Sequence, residues 1–293
     1  KVESQIDEND KELQGKVITR YGQRQLVEDE NGKVFQSVSR QNIGFSVAGD
    51  RVLFQRTKND EAIVTAIYPR NNELKRQDKL IAANIDQLWL VVALEPHYEF
   101  ELIDRYLIMA ENLNLSIGII VNKIELTNNG NEFLDDFVHY QSLGYDVHFL
   151  SVKSKINIEI FKNQLISKSH IFLGQSGVGK SSLINSLIPD LKLRVNEISN
   201  KSKLGKHTTT NTTLYHIPTG GDLIDSPGVR EFQLENLTET EIRNGFKEFK
   251  ALSDECRFRD CKHISEPNCA VKDALEKGEI NINRYHSYLN ILA

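Results

Sequence analysis

The sequence predicts a multidomain protein in which an N-terminal β-barrel precedes a central α/β domain and a helical, metal-binding tail. Between residues 13 and 68, apolar and polar residues alternate with frequent turn signals, which predicts five short strands that close into a small barrel. From Asn84 onward, continuous apolar runs alternate with helical segments, as in a mostly parallel sheet. All three cysteines lie between residues 256 and 269, which indicates a metal site. We therefore predict domains at residues 1–70, 71–237 and 238–293.

In the central domain, helical segments are predicted at residues 100–113 and 133–143. In the tail, Thr238-x-x-Glu241 predicts a capping box that opens one helix with the sequence EIRNGFKEFKAL, residues 241–252.

Composition limits the class of protein and its location. A net charge of −5 and 26% charged residues are ordinary for a globular protein and give no overall basic signature. The N-terminal residues lack the apolar core of a signal peptide, and the longest apolar runs are too short to span a bilayer. We therefore expect a cytoplasmic protein without a membrane partner. The clustering of an odd number of cysteines argues against a disulfide framework.

The barrel strands are predicted in the segments GKVITRY, QRQLVED, KVFQSVS, AGDRVLFQ and EAIVTAIY. Residues 16–70 carry nine lysines and arginines against six acidic residues. Such a small basic excess fits both a nucleic-acid-binding barrel and a purely structural one, so both interpretations stay open here.

A phosphate-binding loop is predicted within HIFLGQSGVGKSSLIN, residues 170–185, which contains the pattern GxxxxGKS. A short apolar strand precedes the loop and an amphipathic helix follows it, as this motif requires. Glycines let backbone N–H groups turn toward phosphate oxygens, while Lys180 reaches the β- and γ-phosphates and Ser181 binds Mg²⁺. The predicted nucleotide-binding residues of this segment are Gly174, Gln175, Ser176, Gly177, Val178, Gly179, Lys180, Ser181 and Ser182.

Two further segments complete the predicted phosphate and magnesium site. The segment GGDLIDSPGV places Asp225 at the end of a strand, where it would hold Mg²⁺ through water, and Gly228 where its N–H would sense a γ-phosphate. Between these motifs, KLGKHTTTNTT has the hydroxyl groups of a switch loop. We choose Thr209 to complete the Mg²⁺ shell, with Thr208 and Thr210 as alternatives.

Guanine recognition is predicted from IGIIVNKIEL, in which Asn122, Lys123 and Glu125 follow a buried strand. Asn122 would hydrogen-bond the purine edge, Lys123 would pack over the base, and the carboxylate of Glu125 would accept guanine N1–H and the 2-amino group. The backbone of Ser151, Val152 and Lys153 would cap guanine O6. Because these base-binding elements precede the phosphate loop, the order of the motifs is a circular permutation, which a sheet tolerates when the old termini lie close together.

The residue that orients the attacking water is predicted to be His207, for which a second role stays open. In Ras-like GTPases a glutamine after Asp-x-x-Gly orients the attacking water, but this chain has Val229 there. We therefore predict slow hydrolysis by the free protein and choose His207, together with Thr209, as catalytic residues. Contact of His207 with an RNA phosphate is the alternative.

The segment from Leu191 to Asn211 is predicted to contact phosphate backbone, since it carries one acidic residue, Glu197, against five basic ones. The basic residues are Lys192, Arg194, Lys201, Lys203 and Lys206.

A zinc site is predicted from the spacing Cys256-x₄-Cys261-x-His263-x₅-Cys269. Three thiolates and one imidazole complete a tetrahedral shell and leave no open position. The Zn²⁺ is therefore expected to be structural.

With these motifs in place, nearly the whole chain resembles the circularly permuted bacterial GTPases that assist late maturation of the small ribosomal subunit, the RsgA/YjeQ family. The resemblance rests on GKVITRYGQ, AANIDQ, GQSGVGKSSLIN, HTTT, IDSPGVREF and the Cys/His cluster. It implies an OB-fold barrel, a central GTPase and a zinc-containing tail, all in contact with ribosomal RNA. It further implies binding to the small (30S) ribosomal subunit in the GTP form and release after hydrolysis. Glu125 departs from the family's usual Asp. We also expect a monomer.

Two other classes of protein fit parts of the pattern. A GTPase beside a Cys/His site suggests a nucleotide-gated zinc carrier, although a closed four-ligand site opposes metal transfer. A phosphate-loop kinase or ATPase is the other class, which competition between GTP and ATP would distinguish.

Overall fold

The computed structural model describes residues 12–57, 61–76, 79–127, 132–191, 211–226 and 237–293. The predicted site residues His207, Thr209 and Gly228 lie outside the described residues, as do Val229 and the basic residues between 192 and 206. In the described part of the chain, no helix has both the length and the apolar character needed to cross a membrane.

The chain forms two compact units, each drawn from separate stretches of sequence. The first unit comprises the described residues of Lys1–Asp86, Lys162–Phe172 and Ser181–Phe232. The second comprises those of Gln87–Phe161, Leu173–Lys180 and Gln233–Ala293. The division into three domains at residues 70 and 237 stays a prediction.

The first unit contains the predicted barrel. Its strands are β1 Glu12–Tyr21, β2 Arg24–Asp29, β3 Val34–Ser39, β4 Arg51–Arg56 and β5 Glu61–Ile67. They pair in the order β1-β2-β3-β5-β4, and β4 pairs again with β1, which closes the barrel. The pairing of β3 with β5 is parallel and the others are antiparallel, as in the Greek-key barrel of the OB-fold. The predicted five-stranded barrel is therefore confirmed.

The barrel is filled by alternate residues of its strands, because successive side chains of a strand point to opposite faces. Val17, Val27 and Phe35 are cross-strand neighbours on the inner face, and each is at most 1% exposed. This alternation is the reason that the sequence pattern alone located the strands.

A hairpin that was not predicted follows the barrel. It consists of β6 Glu73–Arg76 and β7 Lys79–Ala83. Arg70 joins it to the barrel, since its guanidinium contacts Asp50 at 2.7 Å and Glu73 at 2.8 Å. The charged residues of this segment hide the apolar alternation by which a strand is recognised.

The rest of the first unit contains β11 Ser169–Leu173, β12 Thr213–His216 and β13 Asp222–Asp225. The predicted strands before the phosphate loop and before Asp225 are thus present, and they pair in parallel. Strand β12 was not predicted. It pairs antiparallel with β13 on one side and with β1 of the barrel on the other.

Four charged residues, which we call the clasp, join the barrel to β12 and β13: Lys16, Glu28, His216 and Asp222. The His216 ring lies between two carboxylates, with Nδ1 2.6 Å from Asp222 Oδ1 and Nε2 2.6 Å from Glu28 Oε2. Lys16 Nζ donates to Asp222 Oδ2 at 2.6 Å. Hydrogen bonds to Asp222 and Glu28 raise the pKa of His216 to about 9, so the imidazole is a cation at neutral pH.

The second unit contains a parallel three-stranded sheet in the order β10-β9-β8, formed by β8 Gln87–Ala93, β9 Ile117–Asn122 and β10 Asp146–Phe149. All residues of β8 and β9 are buried, as their unbroken apolar sequences predicted. The helices are α1 Phe100–Asn112, α2 Glu132–Ser142 and the short α3 Ile158–Lys162. The predicted α/β character is confirmed.

Helix α4, Lys180–Leu187, follows the phosphate loop. The tail of the second unit forms four short helices: α5 Glu239–Gly245, α6 Lys247–Leu252, α7 Ala270–Glu276 and α8 Ile282–Leu292. The predicted capping box is present, since Thr238 accepts from the Glu241 N–H and donates its own N–H to the Glu241 carboxylate. The prediction of one continuous helix from 241 to 252 was wrong. Phe246 is extended, with ψ 104°, and separates α5 from α6.

The break has a packing cause. A Cβ on Gly245 would lie 2.6 Å from the side chain of Ile108, so only glycine lets α5 approach α1 this closely. Phe246 then turns inward, where it is fully buried.

An ion pair holds the tail to α1. Arg284 of α8 is 1% exposed and contacts Asp104 of α1 and both carboxylate oxygens of Glu248 of α6, at 2.7 and 3.0 Å. Burial opposes the charge on Arg284, but Asp104 and Glu248 outweigh this effect and raise its pKa. Removing one partner of such a buried pair is strongly destabilising.

The clasp predicts a pH dependence of stability. The pKa of His216 is about 9 in the folded chain, against an ordinary value of about 6.5. Its contribution is therefore fully present below about pH 6.5 and is lost as pH rises through 9. We expect His216→Gln to lower the melting temperature at pH 6, and the difference from wild type to vanish near pH 10.

Thermal unfolding followed by circular dichroism at several pH values measures this difference. His286→Gln, at an exposed histidine of α8, is the matched control and should show no such convergence. A difference between His216→Gln and wild type that is constant from pH 6 to pH 10 would contradict the assignment.

Candidate functional site

The phosphate loop lies in the predicted context, between β11 and α4. Three of its glycines have positive φ: 129° at Gly174, 85° at Gly177 and 99° at Gly179. Such angles are unfavourable for other residues. Glycines with positive φ are typical of phosphate-binding loops, in which backbone N–H groups turn toward the phosphate.

Two of these glycines also lie too close to neighbouring atoms to carry a side chain. A Cβ on Gly174 would be 2.1 Å from the carbonyl oxygen of Val91, and one on Gly179 would be 2.3 Å from Nδ2 of Asn122. The loop is therefore held against the carboxyl ends of β8 and β9, where ligands of α/β sheets bind.

Lys180 is the first residue of α4 and is only 7% exposed. Its ammonium group donates to the carbonyl oxygens of Gly174, at 2.6 Å, and of Gln175. The charge is thus directed back over the loop, where a phosphate would lie. Ser181 and Ser182 follow in the first turn of the helix.

Asn122 connects the base-binding segments to the phosphate loop. Its side chain is 2% exposed, Nδ2 donates to the Val178 carbonyl oxygen at 2.9 Å, and Oδ1 accepts from the Val152 N–H at 3.3 Å. The structure therefore brings together segments around residues 122, 152 and 178. The sequence motif suggested contact with the purine edge and gave no sign of this bridging role.

Glu125 and Lys123 lie just after β9. Lys123 adopts a left-handed conformation with φ 64°, and its ammonium group donates to the Glu95 carbonyl oxygen. Among the described residues, Oε2 of Glu125 is buried without a hydrogen-bond partner. A buried carboxylate oxygen is costly to leave unpaired, so this atom fits a ligand that donates hydrogen bonds, as guanine does.

The loop at Ser151 is a compact turn. The Ser151 side chain accepts from the Ser154 N–H at 2.9 Å, and its backbone pairs with Ile156. The backbone N–H groups of Ser151 and Val152 are thus already bonded within the protein. Of the three residues predicted to cap guanine O6, Lys153 retains an N–H with no acceptor among the described residues.

Asp225 is the last residue of β13 and is partly buried. Its carboxylate and the Ser181 hydroxyl are hard oxygen donors of the kind that Mg²⁺ prefers. Both belong to the first unit. The third predicted donor, Thr209, lies outside the described residues.

The four predicted metal ligands lie together in the tail. One ligand atom from each of Cys256, Cys261, His263 and Cys269 lies within 4.8 Å of the others, and three of these residues are buried. Zn–S and Zn–N bonds of about 2.3 and 2.0 Å in a tetrahedron place S and N about 3.5 Å apart. His263 Nδ1 lies 3.6 Å from Cys256 Sγ and 3.3 Å from Cys269 Sγ, so the cluster fits Zn²⁺.

The acid–base properties of the cluster also suit a metal. Burial raises the pKa of Cys261 to about 12, so a thiolate there needs a nearby cation. Burial lowers the pKa of His263, which keeps the imidazole neutral and able to coordinate.

Hydrogen bonds outside the cluster hold the ligand-bearing loop. Tyr285 donates to the His263 carbonyl oxygen at 2.7 Å and Tyr288 to that of Lys262 at 2.6 Å. The Glu266 carboxylate accepts the N–H groups of Lys262 and Ile264, each at 2.9 Å. Burial opposes the ionisation of Glu266, but these N–H bonds outweigh it and lower its pKa to about 2.

The fold and the site define an α/β phosphate-loop nucleotide-binding protein with a Cys/His cluster in its tail. The sequence model of the family described as RsgA GTPase matches residues 67–235, more than half of the chain. A Haemophilus influenzae (strain 86-028NP) protein named small ribosomal subunit biogenesis GTPase RsgA is 41% identical over 290 residues, 95% of this chain and 84% of that protein. A protein of the same name from Hahella chejuensis (strain KCTC 2396) is 42% identical, covering 99% of this chain and 87% of the relative.

Solved structures agree with these relatives. YjeQ from Thermotoga maritima superposes with a TM-score of 0.78 at 31% identity, over 96% of this chain and 98% of that one. YloQ, a circularly permuted GTPase, has a TM-score of 0.76 at 29% identity, over 97% and 95% of the two chains. The chain belongs to the RsgA GTPase family, so it is a GTPase, and this family membership implies a guanine nucleotide as substrate and Mg²⁺ as cofactor.

Proposed function

We propose that the chain is a GTP-hydrolysing assembly factor that binds the small ribosomal subunit in its GTP form, assists late maturation and leaves after hydrolysis. The observation that supports this most directly is the preformed nucleotide site, in which Asn122 links both base-binding segments to the phosphate loop. Relatives that are 41% and 42% identical to this chain carry the name small ribosomal subunit biogenesis GTPase RsgA.

Within this proposal, residues 174–182 bind the phosphates and Glu125 accepts the guanine N1–H and 2-amino hydrogens. Oε2 of Glu125 has no hydrogen-bond partner among the described residues, which supports that role, and Lys123 would pack over the base. Ser181 and Asp225, with Thr209, would hold Mg²⁺. When bound, Mg²⁺ neutralises charge on the β- and γ-phosphates. Gly228 would donate its N–H to the γ-phosphate.

The tail has a structural role in this proposal. Cys256, Cys261, His263 and Cys269 would hold one Zn²⁺, which supplies folding free energy to a small core. Exchange with a metal recipient requires an open position or a mobile ligand. The buried four-ligand cluster therefore does not favour the alternative of a zinc carrier.

The partner would be the small ribosomal subunit with its ribosomal RNA, met by the barrel, the basic residues between 192 and 206, and the tail. Because this particle is cytoplasmic, we place the protein in the cytoplasm. We propose that it acts as a monomer.

Binding to the subunit tests this function. We expect co-sedimentation with small subunits in the presence of a non-hydrolysable GTP analogue and little with GDP, and subunits should accelerate GTP hydrolysis.

If His207 positions the attacking water, His207→Ala should lose the stimulated hydrolysis and keep subunit binding. Equal co-sedimentation with GDP and the GTP analogue would contradict the nucleotide-controlled cycle, and stimulated turnover in His207→Ala equal to wild type would eliminate its catalytic role.

Guanine recognition by Glu125 predicts a change of base preference. Gln at this position keeps one acceptor for N1–H but presents an NH₂ donor to the guanine 2-amino group. We expect Glu125→Gln to weaken GTP binding about tenfold or more, given the worth of hydrogen bonds to charged groups. Xanthosine triphosphate has a C2 carbonyl that accepts a hydrogen bond from this NH₂ group. It should therefore bind to Glu125→Gln better than to the wild-type protein.

Competition against a fluorescent nucleotide measures both affinities. Glu101→Gln, on the surface of α1, is the matched control and should leave them unchanged. A ratio of GTP to xanthosine triphosphate affinity that stays at the wild-type value in Glu125→Gln would refute the assignment.

The zinc assignment predicts one Zn²⁺ per chain. We expect Cys269→Ser to lose the metal and to destabilise the tail strongly, because the free energy of binding a structural Zn²⁺ is also folding free energy. Elemental analysis and thermal unfolding measure these effects. Asp260→Asn, at an exposed acidic residue of the same loop, should keep both metal and stability, and wild-type protein without zinc would overturn the assignment.

A further inference from the structure

We infer that the barrel positions the magnesium ligand Asp225. The barrel would then influence Mg²⁺ binding, in addition to offering a surface for RNA. This inference rests on the proposed role of Asp225. It is carried by two rows of cross-strand contacts that run from the barrel through β12 to β13, all within the first unit.

The first row contains Asp225 itself. Thr19 of β1 is the register partner of Thr213 in β12, and Thr213 is the register partner of Asp225 in β13. Cross-strand partners hold one another's backbone at fixed distances. The position of Asp225 is therefore set, through one intervening residue, by a barrel residue.

Side chains reinforce this row. Thr213 Oγ1 donates to Thr19 Oγ1 at 3.1 Å, and Thr19 Oγ1 donates to the Thr212 carbonyl oxygen at 2.9 Å. Thr19 is 3% exposed and Thr213 is 6% exposed, so water cannot replace a missing partner easily. Removing the Thr19 hydroxyl would leave Thr213 and the Thr212 carbonyl short of a partner.

The clasp forms the second row at the other end of the same hairpin. Lys16 and Glu28 are register partners in the barrel, while His216 and Asp222 are register partners across β12 and β13. Both His216 contacts and the Lys16 contact are 2.6 Å long. The hairpin is therefore fixed to the barrel at both ends.

Strand β11 also pairs with β13, at Ser169↔Asp222 and His170↔Leu223. The strand partner of Asp225 is Thr213 of β12. A displacement of β1 would thus be felt at the magnesium end of β13 through the threonine row.

An apolar contact beside these rows also joins the barrel to β13. A Cβ on Gly49, in the barrel loop before β4, would lie 3.2 Å from Cδ1 of Ile224, the residue next to Asp225. Gly49 has φ 91°, so the loop makes this close approach in a conformation suited to glycine.

The magnesium dependence of nucleotide release tests the inference. The probe is a fluorescent, non-hydrolysable GTP analogue, whose dissociation rate is measured over a series of Mg²⁺ concentrations and in EDTA. Mg²⁺ is expected to slow release, and the Mg²⁺ concentration that gives half of this effect is the quantity compared. For Thr19→Val we expect this concentration to rise about two- to tenfold, because one hydrogen bond is lost. Release in EDTA should stay at the wild-type rate, since phosphate-loop and base contacts are unchanged.

Matched variants separate positioning from general stability. Thr19→Ser keeps the hydroxyl and should restore the wild-type Mg²⁺ dependence. Thr65→Val removes a barrel hydroxyl that bonds Glu12 at 2.8 Å outside both rows, and it should leave the dependence unchanged. His216→Gln breaks the clasp at a half-exposed site and should shift the dependence in the same direction as Thr19→Val.

The outcomes distinguish this inference from the proposed magnesium site. If Asp225→Asn keeps the wild-type Mg²⁺ dependence, the proposed site is wrong. If Asp225→Asn loses it while Thr19→Val and His216→Gln both match wild type, the site stands and the positioning role of the barrel is refuted. Should Thr19→Val fail to fold, His216→Gln alone decides between these results.

Discussion

The buried amide of Asn122 is the contact on which the nucleotide site depends. It donates to the carbonyl oxygen of Val178 in the phosphate loop and accepts from the N–H of Val152. Because one side chain fixes two loops that are far apart in sequence, the site forms regardless of the order in which its segments occur. A circular permutation changes which termini are free, but it leaves this three-way contact and the parallel strands behind it intact.

The glycines of the phosphate loop follow from the same constraint. The loop can approach Val91 and Asn122 only where no Cβ intervenes, at Gly174 and Gly179. The motif was therefore recognisable in the sequence, since its spacing reflects the backbone geometry directly. The Asn122 bridge was not recognisable, because its partners are backbone atoms of residues 30 and 56 positions away.

Local signals predicted much of the fold, and long-range contacts account for what was missed. The barrel strands, α1, α2 and the capping box at Thr238 each follow from residues that are neighbours in sequence. The break at Phe246 was missed because the residues that pack against it, such as Ile108 beside Gly245, lie in a distant helix. Strand β12 was missed because four residues with one buried leucine give little pattern, and its pairing with the barrel supplies the order.

The two units use different chemistry to attach their accessory elements. In the second unit, the tail is held to α1 by a shared apolar core and by Arg284, which is 1% exposed. Separating them would leave buried charges unpaired, so this attachment is costly to open. In the first unit, the barrel is joined to β12 and β13 by two threonines and by the clasp, whose His216 side chain is 47% exposed.

Ion pairs that water reaches are weakened by salt, so the clasp costs less to open than the buried Arg284 pair. The hydroxyl row through Thr19 and Thr213 is buried and keeps the register while the clasp yields. A displacement of the barrel would then reach the Asp225 end of the hairpin through this row, without breaking the strand pairing.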